Sequence, residues 1–360
     1  MNNARQDLED NLILLGLSGS RLYGTYTEDS DYDYVGIAIP PKKYILGFSN
    51  LEQVDSFIQP GNGNYTYLDN TDSKIYSIAK FFNLAIKNNP NILEILYLPE
   101  YLVITEKGKK LIEYRHYFLS TKVVHSYSGY AYAQLKKVKS HRNWLLKYQQ
   151  NPDFYNEKPN IEDFLEEENP LKKEELNSIN YFLHCLVQDY AHYNEVADYF
   201  MSNVDLKEHL DQFHWPQELD PIVQKYTRAS SNFLDLVRKS HLYHKACKEY
   251  KDYNLWKQNR NSKRGEIEAI CGYDGKHLSH CVRLLTMGIE ILTKEEVIPC
   301  RTGIDADYLK AIRFGEISYE KVITYADSLF EQLKCVAKTT NLPKTPDFKT
   351  LEALLIDLYD

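Results

Sequence analysis

Two aspartates, Asp31 and Asp33, stand two residues apart at the entrance of an apolar run, Tyr34 to Ile39 (YVGIAI). Ahead of Asp31, and separated from it by ten residues, a Gly19-Ser20 pair closes another apolar run, Leu12 to Leu17. This spacing constrains the fold more than any other feature of the chain. Each short apolar run bounded by turn residues reads as a buried strand. Residues at i and i+2 of a strand share a face, so the two carboxylates belong to one side of the sheet. A Gly-Ser turn lets backbone N–H groups and a hydroxyl come close to a phosphate. Paired carboxylates supply the oxygen ligands that Mg²⁺ prefers, and two such ions organise an in-line phosphoryl displacement.

The rest of the first hundred residues mixes strand and helix signals, which gives an α/β or α+β domain. Tyr65 to Leu68 reads as a third strand. Ile75, Ile78, Phe81, Phe82, Ala85 and Ile86 follow helical spacing, ended by Asn88-Asn89-Pro90, and a further apolar helix spans Ile92 to Leu98. Beyond about residue 105 the pattern is helical: Val123 to Tyr148, Ile179 to Met201, Phe233 to Tyr250, Lys276 to Leu292, Ala306 to Arg313 and Ser318 to Thr339. The expected class is α+β, with a catalytic domain over 1–115 and a helical domain over 116–345. Residues 151–176 form a charged insertion in the helical domain, and 346–360 a tail or short helix.

Bulk properties narrow the class. The formal net charge of −8 over 360 residues argues against a chain coated in positive charge for bulk nucleic-acid binding, and leaves room for a local basic groove. Six cysteines without a CxxC pair point to reduced thiols and a cytoplasmic protein. The N-terminus has no basic segment ahead of its apolar run, so a secretory leader is not expected, and no stretch reaches membrane-span length. No GxSxG, GxGxxG or GxxxxGK[ST] occurs, which removes serine-hydrolase, Rossmann and P-loop chemistry.

The stretch Gly19–Asp33 (GSRLYGTYTEDSDYD) closely resembles the signature of the DNA polymerase beta-like nucleotidyltransferase superfamily, in which Gly-Ser precedes a metal-binding Asp-x-Asp. Further segments resemble one branch of it, the predicted bacterial and phage nucleotidyltransferases associated with RNA repair. They are Asp72–Phe81 (DSKIYSIAKF), Asn89–Glu94 (NPNILE), Gly129–Leu135 (GYAYAQL), Tyr273–Leu285 (YDGKHLSHCVRLL) and Ala311–Tyr319 (AIRFGEISY). The resemblance implies a small mixed sheet flanked by helices, two Mg²⁺ or Mn²⁺ ions, and a third carboxylate from a neighbouring strand. That carboxylate is Asp72, with Asp69 as its rival; on the residues alone, Asp72 also reads as a helix N-cap.

Gly19, Ser20, Arg21 and Ser30 are the expected contacts to an NTP such as ATP, and Arg21 reads equally as a surface ion pair. Lys276, His277, His280 and Arg283 lie on one helical segment. The branch resemblance favours phosphate contact for Lys276 and Arg283, and acceptor contact for His277 and His280. A helix packed at a domain seam is the alternative. Lys263 and Arg264, in a basic cluster with Lys257 and Arg260, are candidates for an acceptor strand together with Lys136, Lys137, Lys139 and Arg142; a solvated helix face explains such runs as well. The expected reaction is transfer of an NMP to a hydroxyl, at an RNA or tRNA end, with pyrophosphate released. A protein hydroxyl is the alternative acceptor, and a non-catalytic nucleotide-binding module the third reading. Oligomeric state is left open.

Overall fold

The computed structural model describes residues 2–28, 30–56, 58–61, 64–67, 71–151, 153, 156–165, 170–172, 174–179, 220–259 and 262–360. Asp69 and most of the helix expected over Ile179 to Met201 lie outside them. The chain divides into two compact units: Met1–Leu145 together with Ser262–Asp360, and Leu146–Asn261.

The first unit is built on a mixed five-stranded sheet. Its strands are β1 (Leu12–Ser18), β2 (Tyr32–Ala38), β3 (Gln53–Ser56), β6 (Thr71–Ser77) and β7 (Val103–Ile104), in the order β3-β6-β2-β1-β7. β4 (Ile58–Gly61) and β5 (Asn64–Tyr67) form a separate antiparallel pair. β1 and β2 are antiparallel, with Ser18 opposite Asp33 and Leu17 opposite Tyr34. β2 and β6 are parallel, with Asp33 opposite Asp72. Alternation sorts the apolar residues of β2 onto two faces. Val35 and Ile37 enter the main core with Phe81, Leu93, Tyr127 and Leu285. Tyr34 and Ala38 join a smaller core with Leu8, Leu12, Leu15 and Ile75, beneath the Asn2–Glu9 helix.

Ile75 corrects one expectation. It fits a helical period with Ile78, but the structure keeps the chain extended through Ser77, because β6 pairs with β2 along its whole length. Ile75 then packs on the opposite face of the sheet from Ile78, Phe81 and Ala85. The helix is Ile78–Ala85, and its N-cap is Ser77, whose Oγ accepts the Lys80 N–H. Asp72 is therefore a strand residue and not a helix cap. The helix stops where Asn88 adopts φ +53 and buries its amide on the carbonyls of Ala85 and Phe118. The segment expected as one helix from Ile92 divides into a turn of α-helix, Pro90–Leu93, and a 3₁₀ turn, Glu94–Tyr97.

After the sheet the chain is mostly helical. Val123–Gln150 runs out of the first unit and its last turn enters the second. The first unit resumes with Ser262–Cys271, Gly275–Lys294, Ala306–Arg313, Tyr319–Val336 and Phe348–Tyr359. The buried side of Gly275–Lys294, including Leu278, Val282, Leu285 and Ile291, supplies much of the main core. Within the second unit the long Ser231–Gln258 helix holds Leu176 against Val237, and Arg238 pairs with Asp220. Among the described residues no helix is long and apolar enough to cross a membrane.

Candidate active site

The signature stretch folds as strand, turn, short helix, loop and strand. β1 ends at Ser18, and Gly19 takes φ +64, a left-handed conformation that other residues adopt at a cost. The Gly19–Leu22 helix follows. A Cβ on Gly19 would stand 2.0 Å from Asp33 Oδ2 and 2.9 Å from its Cγ. The carboxylate of Asp33 thus lies directly against the Gly-Ser turn, in the space that a side chain on Gly19 would take. Asp31 is exposed just ahead of β2, and its carboxylate has no hydrogen bond or ion pair among the described residues. The Ser20 hydroxyl is half-buried and likewise has no described partner, while the Ser20 carbonyl accepts the Thr25 N–H at 2.9 Å.

Asp72 occupies the register position beside Asp33 on the neighbouring parallel strand; its side chain lies outside what the structure describes. Among the described residues no group of three His, Cys, Asp or Glu side chains forms a metal cluster. The donor set around the turn is nonetheless oxygen-only and carries negative charge, and the close approach at Gly19 leaves the carboxylate facing backbone rather than a bulky side chain. These residues fit a hard divalent ion such as Mg²⁺.

Arg21 takes the role of loop anchor. Its Nη2 donates to the Ser30 carbonyl at 2.7 Å and its Nε to the Asp31 carbonyl at 3.3 Å. The guanidinium lies 3.7 Å from the centre of the Tyr32 ring and 5.1 Å from that of Tyr26. Ser30 closes the same loop: its Oγ accepts the Thr27 N–H at 2.9 Å. Both residues hold the backbone that carries Asp31.

Two further contacts pin the loop and were not anticipated from sequence. Gly24 has φ +70, and a Cβ there would stand 2.4 Å from Thr302 Oγ1. Arg313 Nη1 donates to the Thr25 carbonyl at 2.9 Å. Residues far along the chain therefore help to shape the N-terminal turn. Glycine at position 24 was the only available hint, since a left-handed residue packed on another element calls for glycine.

The Gly275–Lys294 helix separates the four residues grouped on it. Lys276 is exposed. Asp274 caps the helix, its Oδ1 accepting the His277 N–H at 3.1 Å, and its Oδ2 lies 3.0 Å from His141 Nδ1. The ring of His277 meets Gln134 Oε1 at 2.6 Å. Burial pushes His277 down to about 4, against the pull of Asp274, and the cations Lys137 and Lys276 add to the fall. Burial, with Arg283 next, pushes His280 down to about 2. Both rings are neutral near pH 7 and offer hydrogen bonds, not charge.

Arg283 requires a correction. It is only 2% exposed, so its guanidinium faces the protein interior and not an open phosphate site. Its Nη1 donates to Glu94 Oε1 at 2.7 Å, its guanidinium covers the Tyr23 ring at 3.6 Å, and Nη2 has no partner among the described residues. Burial opposes its charge, but Tyr23 and Glu94 hold its pKa above the ordinary value. Arg142 is also committed, to the Gly272 carbonyl at 2.9 Å and the Tyr319 ring. Lys263 and Arg264 begin the Ser262–Cys271 helix, and their side chains lie outside the described residues.

Comparison with known proteins agrees with this geometry. Residues 1–152 match the family described as RlaP, RNA repair pathway DNA polymerase beta family. The chain is also similar to an uncharacterized 38.9 kDa protein of the nrdC-mobD intergenic region of Enterobacteria phage T4. The two are 24% identical over 327 residues, covering 89% of this chain and 87% of the phage protein. No solved structure matches. The Gly-Ser turn packed on an Asp-x-Asp strand of a mixed sheet falls within that matched stretch, so over residues 1–152 this chain is similar to the RNA repair pathway DNA polymerase beta family.

Proposed function

We propose that the chain is a metal-dependent nucleotidyltransferase that moves an NMP from an NTP to a hydroxyl at an RNA or tRNA end and releases pyrophosphate. The observation that carries the reading is the packing of Asp33 against Gly19, with Asp31 two residues before it and Asp72 in register beside it. Asp31, Asp33 and Asp72 would hold the Mg²⁺ or Mn²⁺ ions. When bound, such ions orient the triphosphate and lower the pKa of the attacking hydroxyl.

The chain's own groups do the rest. The Gly19 backbone and the Ser20 hydroxyl offer donors to phosphate oxygens. Arg21 and Ser30 fix the loop that presents Asp31, and Arg21 keeps N–H groups beyond its two carbonyl bonds for developing charge. Lys276 supplies an exposed positive charge, whereas His277 and His280 serve an acceptor as neutral hydrogen-bonding groups. Lys263 and Arg264 are proposed to contact the acceptor strand. The expected catalytic boundary near residue 115 is kept as a proposal, with the C-terminal helices shaping the turn from outside it.

A protein hydroxyl as acceptor stays the second reading, favoured by the net charge of −8. One experiment tests both. The protein is incubated with each labelled NTP, Mg²⁺ or Mn²⁺, and total RNA or lysate, beside an Asp31→Ala/Asp33→Ala variant. Label in RNA that vanishes with the variant supports the proposal, and label in protein moves it to the second reading. No label from the unaltered protein with any NTP would refute the enzyme.

A further inference from the structure

We propose that Glu94 and Arg283 are positioning residues that set the Gly19–Gly24 turn through Tyr23. The proposal rests on the reading of Asp31 and Asp33 given above. Tyr23 immediately follows the short Gly19–Leu22 helix, and its N–H donates to the Gly19 carbonyl at 3.2 Å. Whatever anchors Tyr23 therefore anchors Gly19, and Gly19 abuts Asp33 on its other side.

Tyr23 is anchored twice. Its hydroxyl donates to Glu94 Oε2 at 2.7 Å, and the Arg283 guanidinium lies over its ring, 3.6 Å from the centre. Arg283 Nη1 then closes the triangle on Glu94 Oε1 at 2.7 Å. The three residues come from three elements: the turn after β1, the Glu94–Tyr97 3₁₀ turn and the Gly275–Lys294 helix. Both charged partners are 2% exposed, so neither meets substrate, and their influence must pass through the tyrosine.

A fully buried ion pair is a poor source of stability, because apolar residues of similar volume often do as well. What the pair adds is direction. Hydrogen bonds weaken steeply off their axis, so the triangle fixes the tyrosine in one pose where apolar packing would accept several. Through the Tyr23 N–H and Gly19, that pose sets the carbonyl and left-handed turn against which Asp33 rests.

The test compares Tyr23→Phe with the apolar double variant Glu94→Leu/Arg283→Met in the full chain. Two quantities are read: hydrogen exchange of the amides from Gly19 to Thr25, and the affinity for a fluorescent ATP analogue with Ca²⁺, which permits binding without relying on turnover. Each variant should speed exchange in that segment and weaken the analogue by roughly ten-fold, the scale of one lost hydrogen bond. Exchange in the Tyr319–Val336 helix should stay at the unaltered rate, which separates a local loss from global unfolding. Unchanged exchange across Gly19 to Thr25 in both variants overturns the proposal, and so does unchanged analogue affinity in both. An unaltered protein that does not bind the analogue refutes the function proposed for the site; the exchange measurement then still shows whether the triangle holds the turn.

Discussion

Replacing Gly19 with alanine probes the site at its tightest point. Two costs follow from the structure. The backbone at φ +64 is left-handed, and an L-residue there loses about 1–2 kcal/mol. The new methyl would also stand 2.0 Å from Asp33 Oδ2, whereas ordinary contact begins near 3.4 Å, so the carboxylate must retreat by more than 1 Å. Misplacing a catalytic group by roughly 1 Å costs on the order of 100-fold in rate. Gly129→Ala is the matched control. Gly129 lies in the Val123–Gln150 helix with nothing within 4 Å of its would-be Cβ, so alanine there should stabilise by about 0.5–1 kcal/mol. Thermal melting and Mg²⁺-dependent turnover, measured side by side, read both effects. Gly19→Ala should lower the melting temperature by a few degrees and turnover at least 100-fold, with neither loss in Gly129→Ala. A Gly19→Ala protein with unaltered melting and unaltered turnover would show that Asp33 does not rest against this turn.

Other consequences can be measured separately. Arg301 is fully buried and pairs with the partly exposed carboxylates of Glu290 and Asp305, so Arg301→Ala removes its charge-assisted hydrogen bonds and should cost about 1.5–3 kcal/mol in denaturant titration. His277 has a folded pKa near 4 against 6.5 in the unfolded chain. The unfolded state therefore binds more protons between those values, and stability is present above pH 6.5 and lost as pH falls toward 4. The loss is at most about 3 kcal/mol, and His277→Gln should flatten that part of the curve. Reversing charge with Lys263→Glu/Arg264→Glu should reduce labelling of an RNA acceptor and its salt dependence, and leave labelling of a protein acceptor unchanged.

The strands around the signature were legible because short apolar runs, a Gly-Ser turn and Pro40-Pro41 all gave the same reading. β6 was read partly as helix because Ile75 satisfies both periods; only its pairing with β2 decides which face it serves. The proximity of Asp33 to the turn followed from the spacing, since β1 and β2 pair Ser18 with Asp33. Arg283 was grouped with Lys276 because both lie on one helix, yet their surroundings differ: Lys276 is exposed at its start, whereas Arg283 is buried two turns later. No local pattern could supply its partners, which lie 189 residues away at Glu94 and further still at Tyr23. The same holds for Arg313 on Thr25, 288 residues apart.

The central claim is that acidic groups beside a phosphate-holding turn share divalent ions. Electron paramagnetic resonance of Mn²⁺, titrated into the protein with a non-hydrolysable NTP, counts those ions directly. About two per chain are expected, and the Asp31→Asn/Asp33→Asn protein, nearly identical in shape, should bind them far more weakly. Equal ion number and affinity in the two proteins would contradict the account.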